Sequence, residues 1–285
     1  MDKLFDFELT GQLLRLDFVQ SALLAAAILG LLAGVLGPLI VSRNMAFSVH
    51  GTSELSVTGG AAALVLGWNI GYGALVGAVV AALILGLLSR RSTDYDSVIG
   101  VVLAFGLGVG VLLLWTYKGR AQNKLGLITG QIVSAGFASV VLLLVCTVAV
   151  LAVLAVIYRP LLFASVDPEV ARARGVRIDV LSPVFAVLVG IATALGVQTV
   201  GALLVLSLMI TPAAAACRVT ASPVRATILA VIFAEVAAVG GIVLSLAPGA
   251  PISAFVTAIS FVIYLVCWGI SQAAGRPAAL RPAHR

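Results

Sequence analysis

Residues 18–40 read FVQSALLAAAILGLLAGVLGPLI (Phe18–Ile40), with no charged side chain among 23 positions. As a helix rising 1.5 Å per residue this stretch is about 35 Å long, enough to cross a hydrocarbon core of roughly 30 Å. Eight more apolar runs follow: Met45–Trp68, Gly73–Leu88, Val98–Trp115, Phe137–Leu162, Leu181–Leu195, Val200–Ala216, Val224–Ala247 and Ile252–Ile270. A backbone in lipid must satisfy its own polar groups, and the runs lack the alternating pattern of membrane strands. The reading is an all-α polytopic membrane protein with about nine transmembrane helices. Eight is the alternative, if the first run is broken or Leu181–Ala216 is bent differently.

Composition agrees. Of the 285 residues, 62% are hydrophobic and 10% charged, which excludes an ordinary soluble domain and leaves no room for one beside the helices. The net charge of +6 comes from basic residues in short loops, so it reports topology and not nucleic-acid binding. Arg43, Arg90, Arg91, Arg159, Arg172, Arg174, Arg177, Arg218, Arg225, Arg276, Arg281 and Arg285 fall on one side of a nine-helix layout; only Lys3, Arg15, Lys118, Arg120 and Lys124 fall on the other. By the positive-inside rule the first set is cytoplasmic, which puts the N-terminus outside and the C-terminus inside a bacterial plasma membrane.

Three regions follow. Residues 1–16 contain Asp2, Asp6 and Glu8, lack a basic leader and a small-residue cleavage site, and read as an interfacial segment. Residues 17–275 form the transmembrane domain, and 276–285 a basic cytoplasmic tail. Within the domain, Lys124–Gly136 reads as a short outer helix or re-entrant piece. On the cytoplasmic side, 165–179 holds Asp167-Pro168 as a helix start, Glu169 in the first turn and Gly175 as a stop. Periodicity leaves this arginine-rich segment equally an interfacial linker or a docking surface. Glycine pairs at small-xxx-small spacing (Gly30/Gly34, Gly73/Gly77, Gly106/Gly110) suit close helix approach. Cys146, Cys217 and Cys267 form no CxxC pair and read as packing residues.

Ionisable groups at mid-membrane depth cost about 2.5–3.5 kcal/mol each on insertion scales, so those present need a reason. His50 and Glu54 lie four residues apart in Met45–Trp68, on one helical face. Imidazole and carboxylate at this spacing form half a site for a divalent transition metal, which a second helix or a second copy would complete. The competing reading is that the two bond each other or neighbouring helices. Ser48, Thr52, Ser53, Ser56 and Thr58 make the run unusually polar, the pattern of a pathway-lining helix. Glu235 stands among Ala and Val in Val224–Ala247, where a structural hydrogen bond is the first reading and a third ligand or proton site the second. No GxxxxGK[ST] phosphate loop and no Ser/His/Asp set occurs, so an enzyme acting alone is excluded by those routes.

Several segments resemble the permease subunits of ABC importers for zinc, manganese and iron. VGALLVLSLMITPAAAA (Val200–Ala216) is similar to that family's Gly-Ala-Leu-Leu-Val and Pro-Ala-Ala segment. SVDPEVARARGV (Ser165–Val176) resembles its cytoplasmic coupling segment, with Asp167, Glu169, Ala171 and Gly175 in the expected places; DSVIGVVLAFGLGVGVLLL from Asp96 and the Leu-Ser and Pro-Gly at 244–249 are weaker matches. In RNMAFSVHGTSE (Arg43–Glu54), Met45, Ala46 and Ser53 match, but His50 stands where the family has Asp and Glu54 where it has His. The chemistry is kept and the order exchanged. The resemblance implies a type II ABC importer-like permease, not itself an enzyme, that moves Zn2+ or Mn2+ and holds no permanent cofactor. It implies transient metal ligation by His50 and Glu54. It also implies two cytoplasmic ATPase subunits docked on Asp167, Glu169, Ala171, Arg172, Arg174 and Gly175, a second permease copy and an extracellular metal-binding lipoprotein. Ser53, Ser207, Met209 and Glu235 are the further pathway or gate candidates.

Two rivals stand beside this reading. A siderophore- or cobalamin-type ABC permease needs a wide pathway and no paired ligands at mid-depth. An ion-coupled secondary transporter would use Glu54 or Glu235 as a proton site and show an inverted repeat, which the sequence lacks.

Overall fold

In the computed structural model, residues 11–88, 95–117, 119, 137–248 and 252–273 are described. Each of the nine apolar runs falls on a helix: α1 (Asp17–Ser42), α2 (Ala46–Leu66), α3 (Ile70–Leu88), α4 (Tyr95–Thr116), α5 (Phe137–Val166), α7 (Ile178–Val200), α8 (Ala202–Val219), α9 (Pro223–Leu246) and α10 (Ile252–Ala273). The short α6 (Pro168–Ala173) stands between α5 and α7. The expected pieces at 124–136 and 276–285 lie outside the described residues, as do residues 1–10 of the interfacial segment.

The number of crossings departs from the sequence reading. Among the described residues six helices are long and apolar enough to span a membrane: Asp17–Ser42, Ile99–Thr116, Val140–Val166, Ile178–Gln198, Pro223–Leu246 and Ile252–Ala273. The apolar parts of α3 and α8 are shorter, at Ile70–Gly86 and Leu204–Val219. Helix α2 has the length but is diluted by His50, Glu54 and five hydroxyl side chains. A nine-helix count treated these three as equivalent to the rest.

The boundary between α7 and α8 also differs. The helix expected to end at Leu195 continues to Val200 and breaks at Gly201, whose φ of +90° suits a residue without Cβ. The Gly201 N–H bonds the carbonyl of Val197, closing the last turn of α7.

The chain divides into two units. One comprises Met1–Ser42, Ile132–Thr147 and Leu206–Arg285. In it α9 packs against both α1 and α10. Small residues set these contacts: a Cβ added at Gly34 would stand 2.7 Å from the Val231 nitrogen, and one at Gly241 would stand 2.8 Å from the Val256 nitrogen. Ala213, Ala216 and Ala230 form a fully buried cluster flanked by Val41, Leu229 and Phe233. Lipid supplies little hydrophobic drive between helices, so close van der Waals approach of this kind holds the bundle.

The second unit comprises Arg43–Gln131 and Val148–Val205, and α2 is its centre, packed on α3, α4 and α7. Gly59 meets Gly77 and Gly73 across the α2–α3 seam, and Gly106 and Gly110 receive Leu55 and Thr58 from α2. Gly190 of α7 faces Ala78 and Ala82 of α3. The glycine pairs at 73/77 and 106/110 are therefore contact points in this unit, as 30/34 is in the other.

Candidate functional site

Helix α2 starts at a tight corner. Asn44 adopts φ +53° and Met45 is the N-cap, its carbonyl accepting from the Val49 N–H at 3.1 Å. The helix ends at Gly67, φ +73°, whose N–H bonds the carbonyls of Ala63 and Leu64 while Trp68 N–H bonds Ala63 at 2.8 Å, a left-handed glycine stop. His50 and Glu54 sit one above the other on this helix, a rise of about 6 Å apart. Both are partly buried within the unit. Nδ1 of His50 is buried with no hydrogen-bond partner among the described residues, and the Phe47 ring stands edge-on to the imidazole at 6.2 Å between centroids. An imidazole nitrogen left open in this way is free to meet a ligand.

The hydroxyls of α2 do other work than the sequence reading expects. Ser56 Oγ donates to the carbonyl of Ala74 on α3 (3.0 Å), and Thr58 Oγ donates to the carbonyl of Gly106 on α4 (2.9 Å). Thr52 Oγ bonds back to Ser48 and Val49 on its own helix. Ser53 is fully buried. Much of the polarity of this helix thus fastens it to its neighbours, and the His50/Glu54 pair is what remains for a ligand. No group of three or more His, Cys, Asp or Glu side chains converges among the described residues.

Ser207, Met209 and Glu235 belong to the other unit. Ser207 Oγ is buried without a partner among the described residues, and Met209 is buried. The Glu235 carboxylate lies over Gly30 of α1, where an added Cβ would stand 3.0 Å from Oε1. Glu235 therefore makes a helix-to-helix contact.

The segment around α6 is built to hold its own shape. Asp167 is extended (φ −143°, ψ 95°) and its Oδ1 accepts from the Val170 N–H at 3.0 Å; Pro168 occupies the first helical turn, where its missing N–H costs nothing. At the other end Gly175 (φ +84°) donates to Arg172 O at 2.9 Å, and Val176 N–H donates to Ala171 O at 3.0 Å. Ala171 is fully buried, whereas Glu169, Arg172, Arg174 and Gly175 are exposed. One small side chain seats the helix and its charges face outward.

Sequence reasoning missed Arg43 as more than a loop charge. Its guanidinium donates to Ser165 and Ser182, 122 and 139 positions away, and lies 5.7 Å from the centroid of Phe185. Nothing local in the sequence announces contacts over such distances.

Comparison with other proteins supports the sequence resemblance. The manganese transport system membrane protein MntC of Halalkalibacterium halodurans is 30% identical over 235 residues, covering 82% of this chain and 80% of that one. The high-affinity zinc uptake system membrane protein ZnuB of Haemophilus influenzae is 26% identical over 234 residues, 80% of this chain and 88% of that one. In fold, the chain superposes on PsaBC from Streptococcus pneumoniae, solved in complex with Fab, with a TM-score of 0.83 at 23% identity, covering 95% and 96% of the two chains. Residues 15–270 match the family described as ABC 3 transport family, and with that span matched the chain belongs to the ABC 3 transport family.

Proposed function

We propose that the chain is the membrane-spanning permease of an ATP-driven importer carrying Mn2+ or Zn2+ into the cell. The observation that carries the reading is the His50/Glu54 pair, stacked on a helix whose other polar groups are largely occupied by backbone carbonyls, in a chain whose relatives are named as manganese and zinc transport proteins. Two ligands from one copy hold an ion weakly, and a second copy facing the first would double the set, which suits passage more than storage. With no phosphate loop in the sequence, hydrolysis falls to separate cytoplasmic ATPase subunits, for which the exposed charges of α6 are the docking surface. An external metal-binding lipoprotein delivers the ion. The N-terminus is outside and the C-terminus cytoplasmic; Ser53, Ser207 and Met209 are the candidates for pathway or gate, and Glu235 serves as a helix-to-helix contact. Closure of the ATPases on bound ATP displaces α6 and switches the pathway from outward to inward opening.

The test is total cell manganese and zinc, by mass spectrometry, in a strain lacking this gene and re-expressing either the unaltered protein or a His50→Ala, Glu54→Ala double variant at matched membrane levels. The expected result is recovery of one metal with the unaltered protein and none with the variant. Equal recovery would remove the ligand assignment, and no recovery with either would sink the importer reading.

A further inference from the structure

One side chain bridges the two ends of the cytoplasmic segment. Arg43 Nη1 donates to Ser165 Oγ at 3.1 Å and Nη2 donates to Ser182 Oγ at 2.7 Å. Ser165 lies in the last turn of α5 and Ser182 early in α7, so everything between them, α6 included, hangs from a loop whose two stems are clamped by one guanidinium. Ser165 Oγ itself donates to the carbonyl of Leu161 at 2.7 Å, which orients its lone pairs toward Arg43. The guanidinium also lies by the fully buried ring of Phe185 (5.7 Å), and Nε is buried without a partner among the described residues. A half-buried cation held by two hydroxyls and a ring face is fixed in direction.

On its other side Arg43 joins directly to α2. The turn through Asn44 (φ +53°) and Met45 leaves no slack, and His50 follows Met45 by about 7.5 Å of helix. A displacement of the α6 stems therefore has a short covalent route to the His50/Glu54 face. A lysine ammonium would have to reach both serines from one nitrogen, whereas the planar fork of arginine sends a separate nitrogen to each.

We propose that Arg43 is the positioning residue that links α6 to α2, passing movement of the docking segment to the helix that carries His50 and Glu54. This rests on the reading of α6 as the ATPase-docking surface. Its role is transmission, and it touches neither ATP nor metal.

The experiment uses the importer complex of this permease with its ATPase and delivery protein, in proteoliposomes, with radiolabelled Mn2+ uptake and ATP hydrolysis read from the same sample. Arg43→Ala, Arg43→Lys and the double variant Ser165→Ala, Ser182→Ala are compared with the unaltered protein. The double variant keeps the guanidinium and tests the link should Arg43→Ala fail to fold. The expected result is retained ATP hydrolysis with Mn2+ carried per ATP reduced by about tenfold, the scale of one lost charge-assisted hydrogen bond, in all three variants. Adding the serine changes to Arg43→Ala should cause no further loss, because both remove the same contact. Unchanged Mn2+ per ATP in the serine variant, or hydrolysis and uptake falling in equal proportion, would overturn the link. Absence of Mn2+ and Zn2+ uptake by the unaltered complex would instead overturn the importer reading on which it rests.

Discussion

Gly59→Ala adds one methyl group to the seam between α2 and α3. Its Cβ would stand 2.7 Å from Gly77 Cα and 3.0 Å from Gly77 N, and closer still to the Gly73 carbonyl oxygen. Carbon contacts are favourable from about 3.5 Å, so the shortfall against Gly77 Cα is about 0.8 Å. Every obstructing atom is backbone, and none can rotate away. The helices must part, at an overpacking cost of about 1–3 kcal/mol. The same seam holds the Ser56 Oγ to Ala74 O bond at 3.0 Å; stretching it leaves a buried hydroxyl unsatisfied, adding about 1–3 kcal/mol. A combined loss of about 3 kcal/mol corresponds to a melting temperature lower by about 6–12 °C. The assay is a thermal-shift measurement of the purified protein in detergent. Gly108→Ala is the control, since a Cβ there meets nothing within 4 Å and alanine is the better helix former. Equal melting temperatures for the two variants would refute the reasoning that backbone contact at the seam sets the α2 position.

Two further outcomes are expected. Asp167→Ala removes the N-cap of α6 at a cost of about 1 kcal/mol, so the Val170 amide should exchange with solvent about fivefold faster while α9 exchange is unchanged; an unaltered rate at Val170 would mean that the cap contributes nothing. Glu235→Gln keeps the shape and hydrogen-bonding capacity of a side chain that touches α1, so metal uptake in cells should stay within about twofold of normal, a change below 0.5 kcal/mol. A loss of uptake with normal membrane levels of the variant would place Glu235 on the ion's path.

The sequence made the helices legible because each apolar run is long and closed by polar or glycine residues. The turns of α6 were legible for the same local reason: Asp167, Pro168 and Gly175 act within a few residues of themselves. Glycine spacing pointed correctly to contact surfaces, though not to the partners, which the pairing of helices decides. The polar face of α2 was the misleading feature. Ser56 and Thr58 look like a pathway lining until Ala74 and Gly106 are placed beside them. Arg43 illustrates the opposite failure, a residue that reads as a topology marker and is in fact held by serines far along the chain. The break between α7 and α8 was legible from the polar Gln198 and Thr199, but its position at Gly201, a few residues later than the run ending at Leu195, was not. His50 and Glu54 stood out because a histidine and a glutamate inside an apolar run demand explanation.

Helix α6 has a consequence for how this protein could change over time. Both of its ends are closed by its own residues, Asp167 at the start and Gly175 at the finish, and only Ala171 is buried beneath it. Its outward positions, among them Glu169, Arg172 and Arg174, carry no share of the fold. Substitution there leaves the helix standing while altering the pattern of charge it presents. The charge pattern of this segment can therefore change without renegotiating the packing around it, and residues 167–176 could be exchanged between relatives as a self-contained local unit.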